Sequence, residues 1–310
     1  MKKILVTGAS GLLGRHLCEY LSSRGFKVTG TAKMRRGRKP AKPLIDLDVL
    51  NREQVAKTIA RLKPYAVIHL AGQTVPRKSW EAPDATFAAN TLGTLNVLNA
   101  LRLHSPKTRL IFASTAHVYG KTLYSGRPAT EESVLWPETP YGASKAAAEL
   151  ACVDFSRRFG LDTVIVRPVN FIGPGQSPEF VFADWCRQIA LAEKRGKPAA
   201  LQVGNILMAR DFLHVTDVAR ALETLILKGR TAGVYNVSSG KPKPLRGFAE
   251  FLVKKSRIPL RIHSTKSRLR RFEPPSISLS SKKLHALGWR PKHSVYDALE
   301  EMLAEWRSKT

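Results

Sequence analysis

The sequence predicts an α/β protein built on a doubly wound parallel sheet, and three observations carry that prediction. Short apolar runs of strand length alternate with helix-length segments through roughly the first 170 residues. The first run, Lys3–Thr7, opens directly into Gly8-Ala9-Ser10-Gly11-Leu12-Leu13-Gly14, after which Leu13, Leu17 and Leu21 recur at helical spacing. No segment repeats along the chain, which leaves a single sheet as the consequence of the alternation.

Each element follows in turn. The glycines after the first strand permit a tight turn and a close backbone approach to a pyrophosphate seated on the N-terminus of the next helix, which stops at Arg24-Gly25. This is the opening unit of a Rossmann-type dinucleotide fold, with the spacing Gly-x-x-Gly-x-x-Gly in place of the Gly-x-Gly-x-x-Gly fingerprint. Phe26–Thr31 is the second strand. An NAD site usually places an acid at its end to hold the ribose 2′-hydroxyl, whereas here Lys33, Arg35, Arg36 and Arg38 follow and no acid occurs before Asp46. Basic side chains suit a 2′-phosphate, which favours NADP(H), with NAD(H) the alternative; the bland reading is a solvated basic loop.

A short third strand precedes Asp48, and Ala66–Gly72 contains the fourth, where His69 reads as structural. Phe87–Leu103 is expected to be a helix, and Leu110–Thr115 is a fifth strand that ends in hydroxyls at its carboxyl end, the place where open α/β sheets carry ligands. A helix follows over Pro140–Leu150, then the strand Thr163–Pro168. After Asn170 the segments shorten and become richer in proline and basic residues. This sets an expected boundary between a dinucleotide-binding domain, residues 1–170, and a substrate-binding portion, residues 171–310, with Gly233–Val237 returning to the main sheet.

On the expected helix, Tyr141 and Lys145 are an i, i+4 pair, so a phenol and an ammonium share one face. A cation near a phenol lowers its pKa and makes it a usable acid–base group near neutrality. Alone the spacing is weak, because Tyr and Lys fall four apart on many surface helices.

The net charge of +27 over 310 residues is unusual and raises nucleic acid or an anionic membrane as partners. The Lys and Arg residues are scattered, however, and lack the aromatic interleaving of single-strand binders, so anionic small molecules are the better reading. No apolar stretch is long enough to span a membrane and no signal peptide is expected. The three cysteines, Cys18, Cys152 and Cys186, lack metal spacing and suit a reducing cytoplasm; no metal is expected.

With these pieces in place the chain resembles the extended short-chain dehydrogenase/reductase family of nucleotide-sugar enzymes. The ordered motifs are Thr7-Gly8-x-x-Gly11-x-x-Gly14, Ser114-Thr115-x-x-Val118-Tyr119-Gly120, Tyr141-x-x-x-Lys145, Arg167-Pro168-x-Asn170 and Arg210-Asp211-Phe212. Within it, Gln73–Trp80, the Gly173-Pro174-Gly175-Gln176-Ser177-Pro178 loop, Arg187–Ala190 and Val203-Gly204-Asn205 are similar to the GDP-6-deoxy-D-mannose reductase subfamily. The resemblance implies reduction of the C4 ketone of a GDP-linked 4-keto-6-deoxy-hexose to GDP-D-rhamnose, with Thr115, Tyr141 and Lys145 catalytic. It assigns the cofactor to Gly8, Gly11, Leu12, Leu13, Gly14, Arg35, Arg36, Asp48, Val49, Leu70, Ala71, Gly72, Asn90, Tyr141 and Lys145, with Asp46 an alternative to Asp48. It assigns the sugar nucleotide to Gln73, Thr115, Asn170, Arg187, Val203, Arg210, Arg270 and Glu273, and it implies a homodimer.

Three departures bear on the substrate. Ala116-His117 follows Thr115 where the reductases often carry an acid; Phe171 stands where the subfamily often has His; and Arg270-Arg271-Phe272-Glu273 replaces an Arg-Pro-x-Asp element. The related sugar 4,6-dehydratases need a carboxylate just after their Thr, and none lies between Thr115 and Gly120, which argues against a dehydratase. The rivals are a nucleotide-sugar 4-epimerase with tightly held NAD and, more remotely, a basic nucleic-acid-binding protein on the same fold.

Overall fold

A computed structural model describes residues 1–34, 44–265, 268 and 276–310. Seven parallel strands make the main sheet: β1 (Lys3–Thr7), β2 (Lys27–Ala32), β3 (Ile45–Asp46), β4 (Ala66–His69), β5 (Arg109–Ala113), β6 (Thr163–Pro168) and a late strand, Gly233–Val237, beside β6. Across the sheet the order is β3-β2-β1-β4-β5-β6 and then the late strand, so the chain reverses direction of growth between β1 and β4. That reversal is the topological switch point, where an open sheet leaves a crevice beyond its carboxyl ends. The doubly wound parallel sheet expected from sequence is the one observed.

Successive side chains of each strand face opposite sides, and both sides are covered. Ile4, Val6, Ile68, Ile111, Val164 and Val166 pack with α1 (Leu12–Ser23) and with the helix Val215–Lys228. Leu5, Val67, Leu110, Phe112 and Ile165 pack on the other face with α2 (Arg52–Leu62) and further helices. This double burial explains why β4, β5 and β6 read as unbroken apolar runs in the sequence.

The segment expected as one helix over Phe87–Leu103 is divided. The short α3 (Pro76–Glu81) and α4 (Pro83–Phe87) lead into a π-helical turn, Ala88–Leu92, and only then into α5 (Gly93–His104). Such turns commonly serve to aim a side chain, and this one carries Asn90. The helix α6 (Pro140–Phe159) starts where Thr139 accepts from the Gly142 amide at 3.0 Å, with Pro140 in its first position, and it ends at the left-handed Gly160.

A second core lies under smaller sheets. β7 (Asn170–Ile172), α7 (Val181–Arg195), β8 (Ala199–Val203), β9 (Ala209–Arg210) and β10 (Phe212–His214) follow β6, and Phe182, Trp185, Phe212, Phe248, Leu299 and Met302 are buried together there. The loop after β7 is tied to the dinucleotide helix: Arg15 donates to the Gly175 carbonyl at 2.8 Å and the His16 ring meets the Pro174 carbonyl at 2.9 Å. The Gly175 amide in turn donates to Glu305 near the C-terminus at 2.5 Å. These bonds hold the second region beside the crevice.

Candidate active site

The crevice is floored by the glycine turn. Gly8 has φ of +70°, and a Cβ there would stand 2.7 Å from the Ala71 amide, so β1 and β4 can close only around a glycine. On Gly14 a Cβ would meet the Gly8 carbonyl at 2.4 Å, which is the close packing of turn on helix that the motif requires. Gly11 is the N-cap of α1, no side chain caps that helix, and its first turn holds no acid. The amides of Leu12, Leu13 and Gly14 therefore point a positive helix end into the crevice. Cradle, bare helix end and switch point fit the pyrophosphate of a dinucleotide.

The next part of the crevice follows β4. Thr7 Oγ1 accepts from the Ala71 amide at 3.2 Å and bonds His69 Nδ1 at 2.7 Å. His69 is fully buried and burial pulls it down to about 3, so it is a neutral structural residue. Asn90 is also fully buried, and its amide is engaged on both sides. Its oxygen accepts from the Gln73 amide at 2.9 Å, and its nitrogen donates to the Gln73 carbonyl at 3.1 Å and to Ser144 Oγ at 2.9 Å. Asn90 thus clamps the Gly72-Gln73 loop to α6.

Three side chains converge where β5 ends against α6. Tyr141, Lys145 and Thr115 are 7%, 3% and 6% exposed. Lys145 Nζ donates to the Ala113 carbonyl at 2.8 Å and lies 4.9 Å from the Phe112 ring centre. The same ammonium is 3.8 Å from where a Cβ on Gly72 would stand, which places it at the β4 loop as well. Burial pulls Lys145 down to about 8, opposed by the nearby Cys152 and Glu149.

Tyr141 departs from expectation. Burial pushes its phenol up to about 12, with the Thr115 hydroxyl opposing, and Lys145 is not among the causes. The ammonium is directed at Ala113, so the lowering expected from the i, i+4 spacing is not realised. The phenol is consequently protonated throughout the neutral range. Thr115 caps the short 3-10 turn Ala116–Val118, accepting from the His117 amide at 3.2 Å, and the His117 ring packs edge-on to Tyr141 at 5.8 Å between centres.

The family model described as NAD dependent epimerase/dehydratase family matches residues 4–238. The chain belongs to that family. It is 35% identical over 309 residues, 99% of this chain and 98% of the other, to GDP-6-deoxy-D-mannose reductase of Pseudomonas aeruginosa. Among solved structures it superposes with TM-score 0.87 and 33% identity on RMD from Pseudomonas aeruginosa complexed with NADPH, covering 100% and 99% of the two chains. It also superposes with TM-score 0.85 and 29% identity on the UDP-glucose 4-epimerase of Thermus thermophilus in complex with NAD, covering 99% and 100%. The resemblance read from the motifs is borne out, and the chain shares the family's dependence on a nicotinamide dinucleotide.

The remaining positions assigned from the epimerase/dehydratase motifs are distributed as follows. Asp48 pairs with Lys33 at 2.6 Å and caps the Leu50 amide, which holds its carboxyl below the usual range, while Asp46 accepts from the Met34 amide. Val49 is buried beneath Gly93. Gln73 turns its side chain back on Val75. Asn170 begins β7 in register with Phe212. Val203 is wholly buried in the second core and Arg187 is exposed on α7. Arg210 is 7% exposed, bonds the Ala209 carbonyl at 2.8 Å, and borders a cleft shared with Lys241, Lys243, Lys292, His293 and Tyr296. Arg35, Arg36, Arg270 and Glu273 lie outside the described residues. The cleft lysines carry no motif and were invisible in the sequence, since segments distant along the chain bring them together. Among the described residues no group of His, Cys, Asp or Glu could hold a metal, and no helix is long and apolar enough to cross a membrane.

Proposed function

We propose that this protein reduces the C4 ketone of GDP-4-dehydro-6-deoxy-D-mannose to give GDP-D-rhamnose, with NADPH as the preferred reductant. The observation that carries the reading is the 35% identity to a GDP-6-deoxy-D-mannose reductase across the full length of both chains. The chemistry of the site supports it. When bound, the nicotinamide supplies the hydride that reduces the ketone carbon. Thr115 and Tyr141 hold the carbonyl oxygen, and Tyr141 gives up its phenolic proton to the alkoxide, a stronger base than the phenolate left behind. A phenol that is protonated at neutral pH is in the correct starting form for reduction. Lys145, charged below about 8, holds the nicotinamide ribose through its ammonium. Ala116 and His117 leave no carboxylate beside Thr115 to eliminate water.

Arg210 and Asn170 take the diphosphate, and the basic cleft that Arg210 borders keeps the surroundings positive. The preference for NADPH rests on Lys33, Arg35 and Arg36 after β2. Leu92, Leu103, Leu150 and Phe159 stand 54%, 55%, 68% and 46% exposed on α5, α6 and the turn before α5, and pairing of two copies through these helices would cover them. The three free cysteines suit a cytoplasmic setting.

Incubation with GDP-4-dehydro-6-deoxy-D-mannose and NADPH tests the proposal, the configuration at C4 of the product being read by NMR. The rhamno product is expected; recovery of unchanged sugar nucleotide would defeat it.

A further inference from the structure

Three consecutive residues at the carboxyl end of β5 are joined to three successive turns of one face of α6. The Ala113 carbonyl accepts from Lys145 at 2.8 Å, the Thr115 hydroxyl meets Tyr141, and between them the Ser114 hydroxyl donates to Glu149. Tyr141, Lys145 and Glu149 are spaced four apart and so stand above one another on the helix. Two of the three have a place in the reaction; Glu149 has none.

Glu149 is 2% exposed, and a carboxylate so buried must be paired. Arg167 on β6 supplies the partner, with Nε 3.0 Å from Oε1 and Nη2 2.6 Å from Oε2. Arg167 is fixed in its turn, since Nη1 donates to the Tyr119 hydroxyl at 2.9 Å and to the Glu131 carbonyl at 3.1 Å. The Tyr119 hydroxyl donates to Asn236 on the late strand at 2.7 Å. The position of one carboxylate on α6 is therefore set by β5, β6 and the edge strand of the main sheet.

We propose that Glu149 is a positioning residue for the reaction: it locks α6 in register against the end of β5, so that Tyr141 faces Thr115, and its negative charge keeps Lys145 protonated. Among the described residues the titratable groups facing Lys145 are Glu149, Cys152 and Tyr141 on α6 and His69 on β4. Burial raises the Cys152 thiol and the Tyr141 phenol and lowers the His69 ring, which leaves all three neutral at neutral pH. Among the described residues Glu149 is then the anion that opposes loss of the Lys145 proton.

The inference rests on the reading of Tyr141 and Lys145 as the reacting pair, and two variants separate its halves. Glu149→Gln keeps an oxygen for Ser114 and removes the charge. The alkaline limb of its pH profile, in kcat and in NADPH affinity followed by fluorescence, is expected about one pH unit lower than in the parent protein. Ser114→Ala cuts the tie to β5 and leaves every charge; kcat should fall roughly tenfold with the limb unmoved. An unmoved limb in Glu149→Gln overturns the electrostatic half, and an unchanged kcat in Ser114→Ala overturns the register half. Should Glu149→Gln fail to fold, Glu149→Asp, which restores the charge, must keep the parent limb, and a displaced limb there overturns the charge role. NADPH affinity is measured without sugar, so a parent protein that binds NADPH and reduces no GDP-linked ketone would sink the reductase reading while still testing this one.

Discussion

The two ends of the site are built in opposite ways. At the reacting end, Thr115, Tyr141, Lys145, Ser114 and Glu149 are all below a tenth exposed and bond one another or the sheet backbone. At the proposed nucleotide end, Arg210 borders a cleft whose Lys241, Lys292 and His293 lie on loops and whose Lys243 lies on a two-residue strand. The first arrangement fixes side-chain positions through buried bonds to the sheet. The second supplies positive charge with adjustable reach, and under the proposed function it is there that nucleotide and sugar are chosen. The fold itself superposes on RMD complexed with NADPH and on an epimerase with NAD at TM-scores of 0.87 and 0.85.

Substitutions at the two ends should separate in kind. Tyr141→Phe removes the proton donor, and turnover should fall by roughly a hundred- to ten-thousand-fold with NADPH affinity retained; a normal rate would remove Tyr141 from the mechanism. Gly14→Ala places a methyl 2.4 Å from the Gly8 carbonyl, and the turn must shift. NADPH affinity in a fluorescence titration should weaken by at least about tenfold, from a misplaced cradle. Arg210→Ala deletes a charge-assisted contact of about 1.5–3 kcal/mol, so KM for the sugar nucleotide should rise roughly ten- to a hundredfold with a smaller change in kcat. A fall in kcat alone would place Arg210 at the reacting end. The mildest effect is that of pH: because Lys145 must carry its proton and Tyr141 keeps its own up to about 12, reduction should be level in the neutral range and decline as pH rises through about 8.

The sequence disclosed the local motifs more fully than the cleft around Arg210, for a physical reason. Strand β1, its glycine turn and α1 are contiguous, so their chemistry is written as one motif, and the i, i+4 spacing of Tyr141 and Lys145 survives any change of context. The electrostatics of the pair did not survive, because burial dominates them and burial is not local. Asn90 was assigned to the cofactor by its motif, while the clamp it makes depends on a π-helical turn that no periodicity announces. Glu149 lies on the same helical face as the motif and escaped notice because its partners, Ser114 and Arg167, are on two separate strands. Lys241, Lys243 and Lys292 had no signal beyond a generally basic composition.

The central claim is net reduction with Tyr141 as proton donor, and the most direct measurement is the balance of cofactor against sugar in a reaction with GDP-4-dehydro-6-deoxy-D-mannose. Mole-for-mole oxidation of added NADPH, lost in Tyr141→Phe, is the result expected. A protein that purifies with bound NAD, leaves NADPH untouched and inverts C4 of a nucleotide sugar would contradict it.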